Sequence, residues 1–219
     1  MINIPSMTLV CVDNRKLDLA FRAVRQAQSI IKFGDTIFFT DLDINATNCR
    51  VINHSVNSVA DYSDFMINHL HKHITTEFVM IVQWDGFPLN EKAWEADFLR
   101  YDYIGAPWTP GYNWALGMPV CTEETRVGNG GFSIRSKKLL EATFRITNGR
   151  KDINPEDVYI VRAIRKELDQ EGIKFAPYDL AKKFSVEDNY YTGQFGFHGQ
   201  QTIRMNQFLL DSFNSTNQS

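Results

Sequence analysis

The 219-residue sequence has only three cysteines, Cys11, Cys49 and Cys121, far apart and odd in number. That pattern excludes a disulfide framework and lacks the paired spacing of a zinc site, so a reducing compartment is expected. An excess of positive charge is also missing. The formal net charge is −3 and no dense Lys/Arg run occurs, which argues against a nucleic-acid partner. No stretch approaches the ~20 apolar residues that a bilayer span needs. The opening M-I-N-I-P-S-M has neither a basic segment nor a long apolar one. No secretory signal is therefore expected, and the expected setting is cytoplasmic. No Gly-Lys-Ser/Thr closes a Walker-type loop, and no glycine fingerprint joins a strand to a helix.

What is present is a packed globular composition: 43% apolar and 13% aromatic residues. That fits one large α/β domain over residues 1–206, followed by a polar tail over 207–219. Residues 78–82, F-V-M-I-V, carry no helical period and predict a strand buried on both faces, as in parallel sheets. The strand runs straight into Gln83, Trp84, Asp85, Gly86 and Phe87. In open α/β sheets ligands bind at this carboxyl edge, so Asp85 is a candidate metal or phosphate–metal ligand. The competing reading is a solvated acid in a turn.

Two earlier strands also end in acids. Residues 8–13, T-L-V-C-V-D, end at Asp13, and residues 36–40, T-I-F-F-T, are followed by Asp41. Between them the apolar spacing of Leu17, Ala20, Phe21, Val24, Ala27 and Ile31 predicts a helix that Gly34 ends. A second helix is expected over residues 58–71, with Ser58 or Asp61 as its cap. His69, His71 and His73 cluster at its end without an acid at ligand spacing and read as solvated histidines.

Residues 109–125 predict a long loop whose aromatic residues, Trp108, Tyr112 and Trp114, would suit stacking on a sugar or base. The alternative is a small hydrophobic cluster beneath the loop. Residues 127–136, V-G-N-G-G-F-S-I-R-S, place three glycines around Asn129, then a strand, then a helix. Such glycines permit close backbone approach to a ligand, with Asn129, Gly130 and Gly131 contacting it, or else mark the entry to a hairpin. Asn154, Pro155, Glu156 and Asp157 open a further helix. Acids in a first turn suit the helix dipole whether or not they have another role. Residues 175–185 are expected to be extended.

Taken in order, V-Q-W-D-G-F, G-A-P-W, V-G-N-G-G-F-S-I-R-S, P-E-D-V-Y and F-G-F-H-G resemble a family of small, uncharacterised glycosyltransferase-like domains of the GT-A superfamily. The resemblance implies a Rossmann-like α/β fold with a mostly parallel central sheet flanked by helices. It also implies a nucleotide-diphosphate sugar donor and a glycan, lipid-linked or protein acceptor, the lipid-linked case being met from the membrane surface. A divalent cation, Mn²⁺ or Mg²⁺, usually accompanies an Asp-x-Asp motif, but here the motif reads Gln83-Trp84-Asp85. Only its second acid is present, so metal or diphosphate contact carries over to Asp85 alone. His198 matches the late histidine that completes the metal shell. Asp157, or Glu156 beside it, matches the catalytic base of inverting members. Asp13 and Asp41 match nucleoside-contacting positions, and Arg15, Lys16 or Arg126 would assist the leaving diphosphate. A non-catalytic sugar- or nucleotide-binding domain on the same fold is the alternative, motivated by the missing acid. A nucleotidyltransferase ranks lower, for want of a glycine-rich signature followed by arginine.

Overall fold

Alternation along a few apolar strands decides which layers form. The computed structural model describes the chain except residues 112–114, 116 and 217–219, with side chains described up to Phe213. Its first half comprises β1 (Ile2–Val12), α1 (Leu17–Ile30), β2 (Ile31–Thr40), β3 (Arg50–Asn53), α2 (Val59–Asp64), β4 (Phe78–Val82) and β5 (Gly86–Pro88). The second half comprises β6 (Tyr103–Gly105), β7 (Ser133–Ser136), α3 (Lys137–Thr147), α4 (Glu156–Val158), α5 (Arg165–Gln170), α6 (Tyr178–Phe184), β8 (Ser185–Glu187), β9 (Gly196–His198), α7 (Gln200–Met205) and α8 (Gln207–Thr216).

Six strands form the main sheet in the order β3-β2-β1-β4-β7-β6. The β3-β2-β1-β4 pairs are parallel, while β7 runs antiparallel to both β4 and β6. Side chains alternate faces along a strand. Leu9, Cys11, Phe38, Met80 and Val82 therefore enter one core with Ala20, Ala23, Val24 and Ala27 of α1. Val10, Val12, Ile37, Phe39, Val79 and Ile81 enter the opposite core with Phe65, Met66 and Leu140. The alanines of α1 let the helix lie close to the sheet, and Phe21 stacks on Phe38 at a ring separation of 4.5 Å. Burial of both faces explains why β4 shows no polar alternation. The fold is thus α/β with a mostly parallel central sheet between helices, as expected.

Several local expectations are corrected. β1 begins at Ile2, ahead of Thr8, and crosses a register shift between Ile4 and Thr8 that accommodates Pro5. The first helix ends at Ile30, and Ile31 turns directly into extended backbone. Gly34 is therefore a strand residue, where an added Cβ would collide with the carbonyl of Pro5. Residues 178–184 form α6, which is helical where an extended segment was expected. Residues 207–216 are likewise not a frayed tail: they form α8, which buries Leu209 and Phe213 in the first core. Its polar composition hid two apolar residues four apart, a single helix face. Ser58 does cap α2, accepting from the Asp61 amide at 3.0 Å. A π-helical turn, Phe65–His69, then brings His69 within 3.3 Å of Asp64. His73 meets Phe39 edge-on and His71 stacks on Phe144, so these two rings pack against aromatics, although solvated histidines were expected.

A second sheet positions the chemistry. Its order is β5-β9-β8, with Gly86 opposite His198 and His198 opposite Glu187. Three short strands thus set the residue after Asp85, His198 and Glu187 side by side.

Candidate functional site

The carboxyl edge of the main sheet opens into a cleft of about 580 Å³. Its lining includes Asp13, Arg15 and Lys16, Gln83 and Trp84, and Asn129, Gly131, Glu156, Asp157, Glu187 and His198. Most residues proposed from the sequence are therefore brought together.

Asp157 is the most perturbed acid among them. It is only 8% exposed. Its two carboxylate oxygens accept from the Gly130 amide at 3.0 Å and the Val158 amide at 2.7 Å. Burial, and then the charge of Glu156, push its pKa up to about 7, against the two amide hydrogen bonds and Arg135. Glu156 has a different task. Its Oε1 accepts from Arg135 Nη2 at 2.8 Å, in an ion pair whose two side chains are 5% and 0% exposed. An acid committed to a buried arginine is a structural anchor, whereas Asp157 is held by backbone amides alone.

The glycines make room for these side chains. A Cβ on Gly130 would lie 2.7 Å from Glu156 Oε1 and 2.8 Å from Asp157 Cβ. One on Gly131 would overlap the His198 ring and approach Gln83 Oε1 to 2.6 Å. Asn129 ties the block together. Its Oδ1 accepts from the amides of Gly131 at 3.1 Å and Phe132 at 3.3 Å, while its Nδ2 donates to Glu187 Oε1 at 2.7 Å.

His198 is held from both ring nitrogens. Nδ1 lies 2.8 Å from Glu187 Oε1, and Nε2 lies 3.1 Å from Gln83 Oε1 and 3.9 Å from Asp85 Oδ1. Burial alone would depress its pKa. The hydrogen bond and charge of Glu187, followed by Asp85 and Asp157, outweigh that and raise it to about 9. Burial raises the pKa of Asp85, opposed by His198. Asp85 is 7% exposed and does not itself line the cleft, though its Oδ1 lies beside His198, which does.

A divalent cation here would find one imidazole, one carboxylate and one amide oxygen, from His198, Asp85 and Gln83. Glu187 on the far ring nitrogen is the carboxylate partner that metal-bound histidines characteristically have. Among the described residues no three His, Cys, Asp or Glu side chains converge. The donor set therefore fits a cation only as a partial shell, its other positions falling to ligand and water oxygens.

Other expectations fare differently. Asp13 Oδ1 accepts from the amides of Arg15 and Lys16, both at 2.7 Å, which shapes the turn at the rim. Arg15 donates to the Asn57 carbonyl, and Lys16 Nζ sits 3.3 Å from the centre of the Trp84 ring. Asp41 lies outside the cleft, where it accepts from Ser55 Oγ at 2.7 Å. Arg126 is also outside, 3.8 Å from the Tyr178 ring centre and paired with Glu123. Trp108 cannot act as a stacking platform: it is 7% exposed, Arg162 lies 4.5 Å from its ring centre, and its Nε1 donates to Glu187. Tyr112 and Trp114 lie outside the described residues.

Sequence reasoning missed Glu187, which reaches His198, Asn129 and Trp108 at once. Its three-residue strand carries no signal of its partner across the small sheet. Asn14 lies in the bend that follows β1. It lines the cleft with both side-chain amide atoms buried and without hydrogen-bond partners.

A family model described as a protein of unknown function (DUF5672) matches residues 45–198. No curated protein matches the sequence. Among solved structures, a mannosyltransferase from Pyrobaculum calidifontis in complex with GDP-Man and Mn²⁺ aligns at 11% identity and a TM-score of 0.46. The alignment covers 78% of this chain and 54% of that one, so the chain spans about half the mannosyltransferase's length. A glycosyltransferase involved in glycosylation of the major capsid of PBCV-1 aligns at 11% identity and a TM-score of 0.48, over 97% of this chain and 99% of that one.

Proposed function

The chain belongs to the DUF5672 family of proteins of unknown function, and we propose that it is a glycosyltransferase acting on a nucleotide-diphosphate sugar and inverting the transferred sugar. The observation that carries this reading is Asp157, a buried carboxyl with its pKa raised to about 7 on the wall of a sizeable cleft. A general base is most effective when its pKa lies near the working pH.

In the reaction, Asp157 takes the proton of the acceptor hydroxyl. The acceptor oxygen forms its bond to the anomeric carbon as the bond from that carbon to the diphosphate oxygen breaks. The electron pair leaves on the diphosphate, and attack from the opposite face inverts the sugar. Arg15 and Lys16 at the rim favour the charge that develops on the leaving group. Asn14 offers a free amide donor and acceptor to the donor's nucleoside. Asn129 and Glu187 hold His198 in one orientation. A Mn²⁺ or Mg²⁺ ion held by Asp85 and His198, with Gln83 beside them, would neutralise diphosphate charge as a Lewis acid. The single imidazole favours Mn²⁺.

The partners of this reading are a nucleotide-sugar donor and a glycan, lipid-linked or protein acceptor. Among the described residues no helix is long and apolar enough to cross a membrane. A second reading, a non-catalytic nucleotide-sugar-binding domain, is favoured by one observation: Gln83 stands where a second metal-binding acid would complete the shell.

A thermal-shift screen with UDP-, GDP-, CMP- and dTDP-sugars, each with Mn²⁺, Mg²⁺ or EDTA, tests the donor. A ligand at 100 times its dissociation constant stabilises by about 2.7 kcal/mol. The expected result is a shift with one nucleotide class, followed by turnover that Asp157→Asn abolishes. Binding without transfer to any acceptor would select the second reading. No shift with any donor would refute both.

A further inference from the structure

Behind the cleft lies a second pocket of about 650 Å³, within the range of ~300–1,000 Å³ usual for small-molecule sites. Glu187 lines both spaces and is the partition between them. Its Oε1 faces His198 and Asn129, while its Oε2 accepts from Trp108 Nε1 at 3.0 Å.

The far side of the pocket is built from residues that a folded domain ordinarily covers. Tyr190 is 63% exposed and Tyr178 is 40% exposed. The Arg126 guanidinium lies over the Tyr178 ring, 3.8 Å from its centre, and so covers one face of it with a polar-edged plane. Asp188 adopts a left-handed backbone with φ 51°, which turns the chain out of β8 and carries Asn189 and Tyr190 around the pocket.

A second, independent sign lies in the pocket wall. Ser185 is 1% exposed and lines the pocket, yet its hydroxyl has no hydrogen-bond partner. Ser185 and Glu187 are two apart on β8 and so share a strand face. A buried hydroxyl left unsatisfied costs about 1–3 kcal/mol, and a ligand hydroxyl would satisfy it. Flat aromatic surface, a buried unpaired hydroxyl and interleaved Arg126 and Asp188 together match a pyranose, which has an apolar C–H face and a rim of hydroxyls. The chain's net negative charge does not favour nucleic acid here.

We propose that this pocket is a carbohydrate-acceptor subsite, seating the sugar unit next to the one whose hydroxyl reacts in the cleft. The inference rests on the transferase reading of the cleft. It makes the acceptor an oligosaccharide or glycan of at least two units, joined across the Glu187 partition.

Two measurements on the full chain test it separately from that reading. The purified protein is applied to a microarray of linear and branched glycans, and its best glycan is titrated by saturation-transfer NMR. Donor binding is followed in parallel by thermal shift. Tyr190→Ala is expected to weaken the glycan about tenfold while leaving the donor shift unchanged, because Tyr190 is exposed and outside the cleft. Ser185→Ala is expected to weaken it less. Silence across the array with an intact donor shift would overturn the subsite and leave the transferase standing. Glycan binding that Tyr190→Ala and Tyr178→Ala both leave untouched would also overturn it. Glycan binding that depends on Tyr190, with no donor shift, would overturn the transferase reading and with it the acceptor role.

Discussion

Two groups of acids stand at the same edge of the sheet and have different fates. Asp13 and Asp41 end successive parallel strands, the position that α/β folds offer to ligands. Asp13 spends an oxygen on the amides of its own turn, and Asp41 pairs with Ser55 on the surface. Glu156 and Asp157 belong to no strand, yet both are buried. There the acids divide the work: Glu156 takes Arg135, and Asp157 is left with two amides and a raised pKa. Strand-end position brings acids to an edge, but dehydration and the choice of neighbour decide whose proton affinity is shifted.

The sharpest way to break this contrast is Asp157→Asn. If Asp157 is the base, kcat falls by about 10²–10⁴, the usual contribution of a positioned base. Calorimetry should show the donor dissociation constant nearly unchanged in the same protein. A folded mutant that loses donor binding would instead make Asp157 a binding residue. The largest stability effect belongs to its neighbour. Glu156→Gln leaves Arg135 charged and buried, and removing one member of such a pair costs about 3–5 kcal/mol. Urea unfolding measures this, and the double substitution Arg135→Met with Glu156→Leu should recover most of the loss.

The third expectation separates the two acids by pH. Asp157 holds its proton more tightly in the folded protein than in the unfolded chain, where a carboxyl titrates near ~3.9. The folded state therefore loses stability, relative to the unfolded one, as pH rises from about 4 to about 7. Asp157→Asn should lack that component of the pH slope, whatever its absolute stability. Activity should move the opposite way and rise through about pH 7, because the base must first be ionised.

Much of the fold was legible because burial leaves a strong signature in sequence. F-V-M-I-V could be little else than a two-faced strand, and the helix over Leu17–Ile30 declared itself by period. Asp157 and His198 were singled out by the family resemblance that short motifs carry, but their environments were not legible in those motifs. Glu187 lies 11 residues from His198 in sequence and meets it only because β8 and β9 pair. The glycines around Asn129 looked like room for a ligand. The structure fills that room with Asp157, Arg135 and His198 side chains. Local patterns report on neighbours along the chain, whereas the small sheet is made of pairings between segments that carry three residues each.

The smallest expected effect falls on the other group of acids and tests the comparison from its weak side. Asp41→Ala removes one exposed hydrogen bond, to Ser55, and leaves no buried group without a partner. Surface changes of this kind stay within about 0.5 kcal/mol. The donor thermal shift should equal that of the unaltered protein, since Asp41 does not line the cleft. Asp13→Ala should cost more than Asp41→Ala, because two backbone amides at the cleft rim lose their acceptor and the Arg15–Lys16 turn loosens. If Asp41→Ala instead weakened donor binding as much as Asp13→Ala, strand-end position alone would be enough to make an acid part of the site, and the distinction drawn from burial would fail.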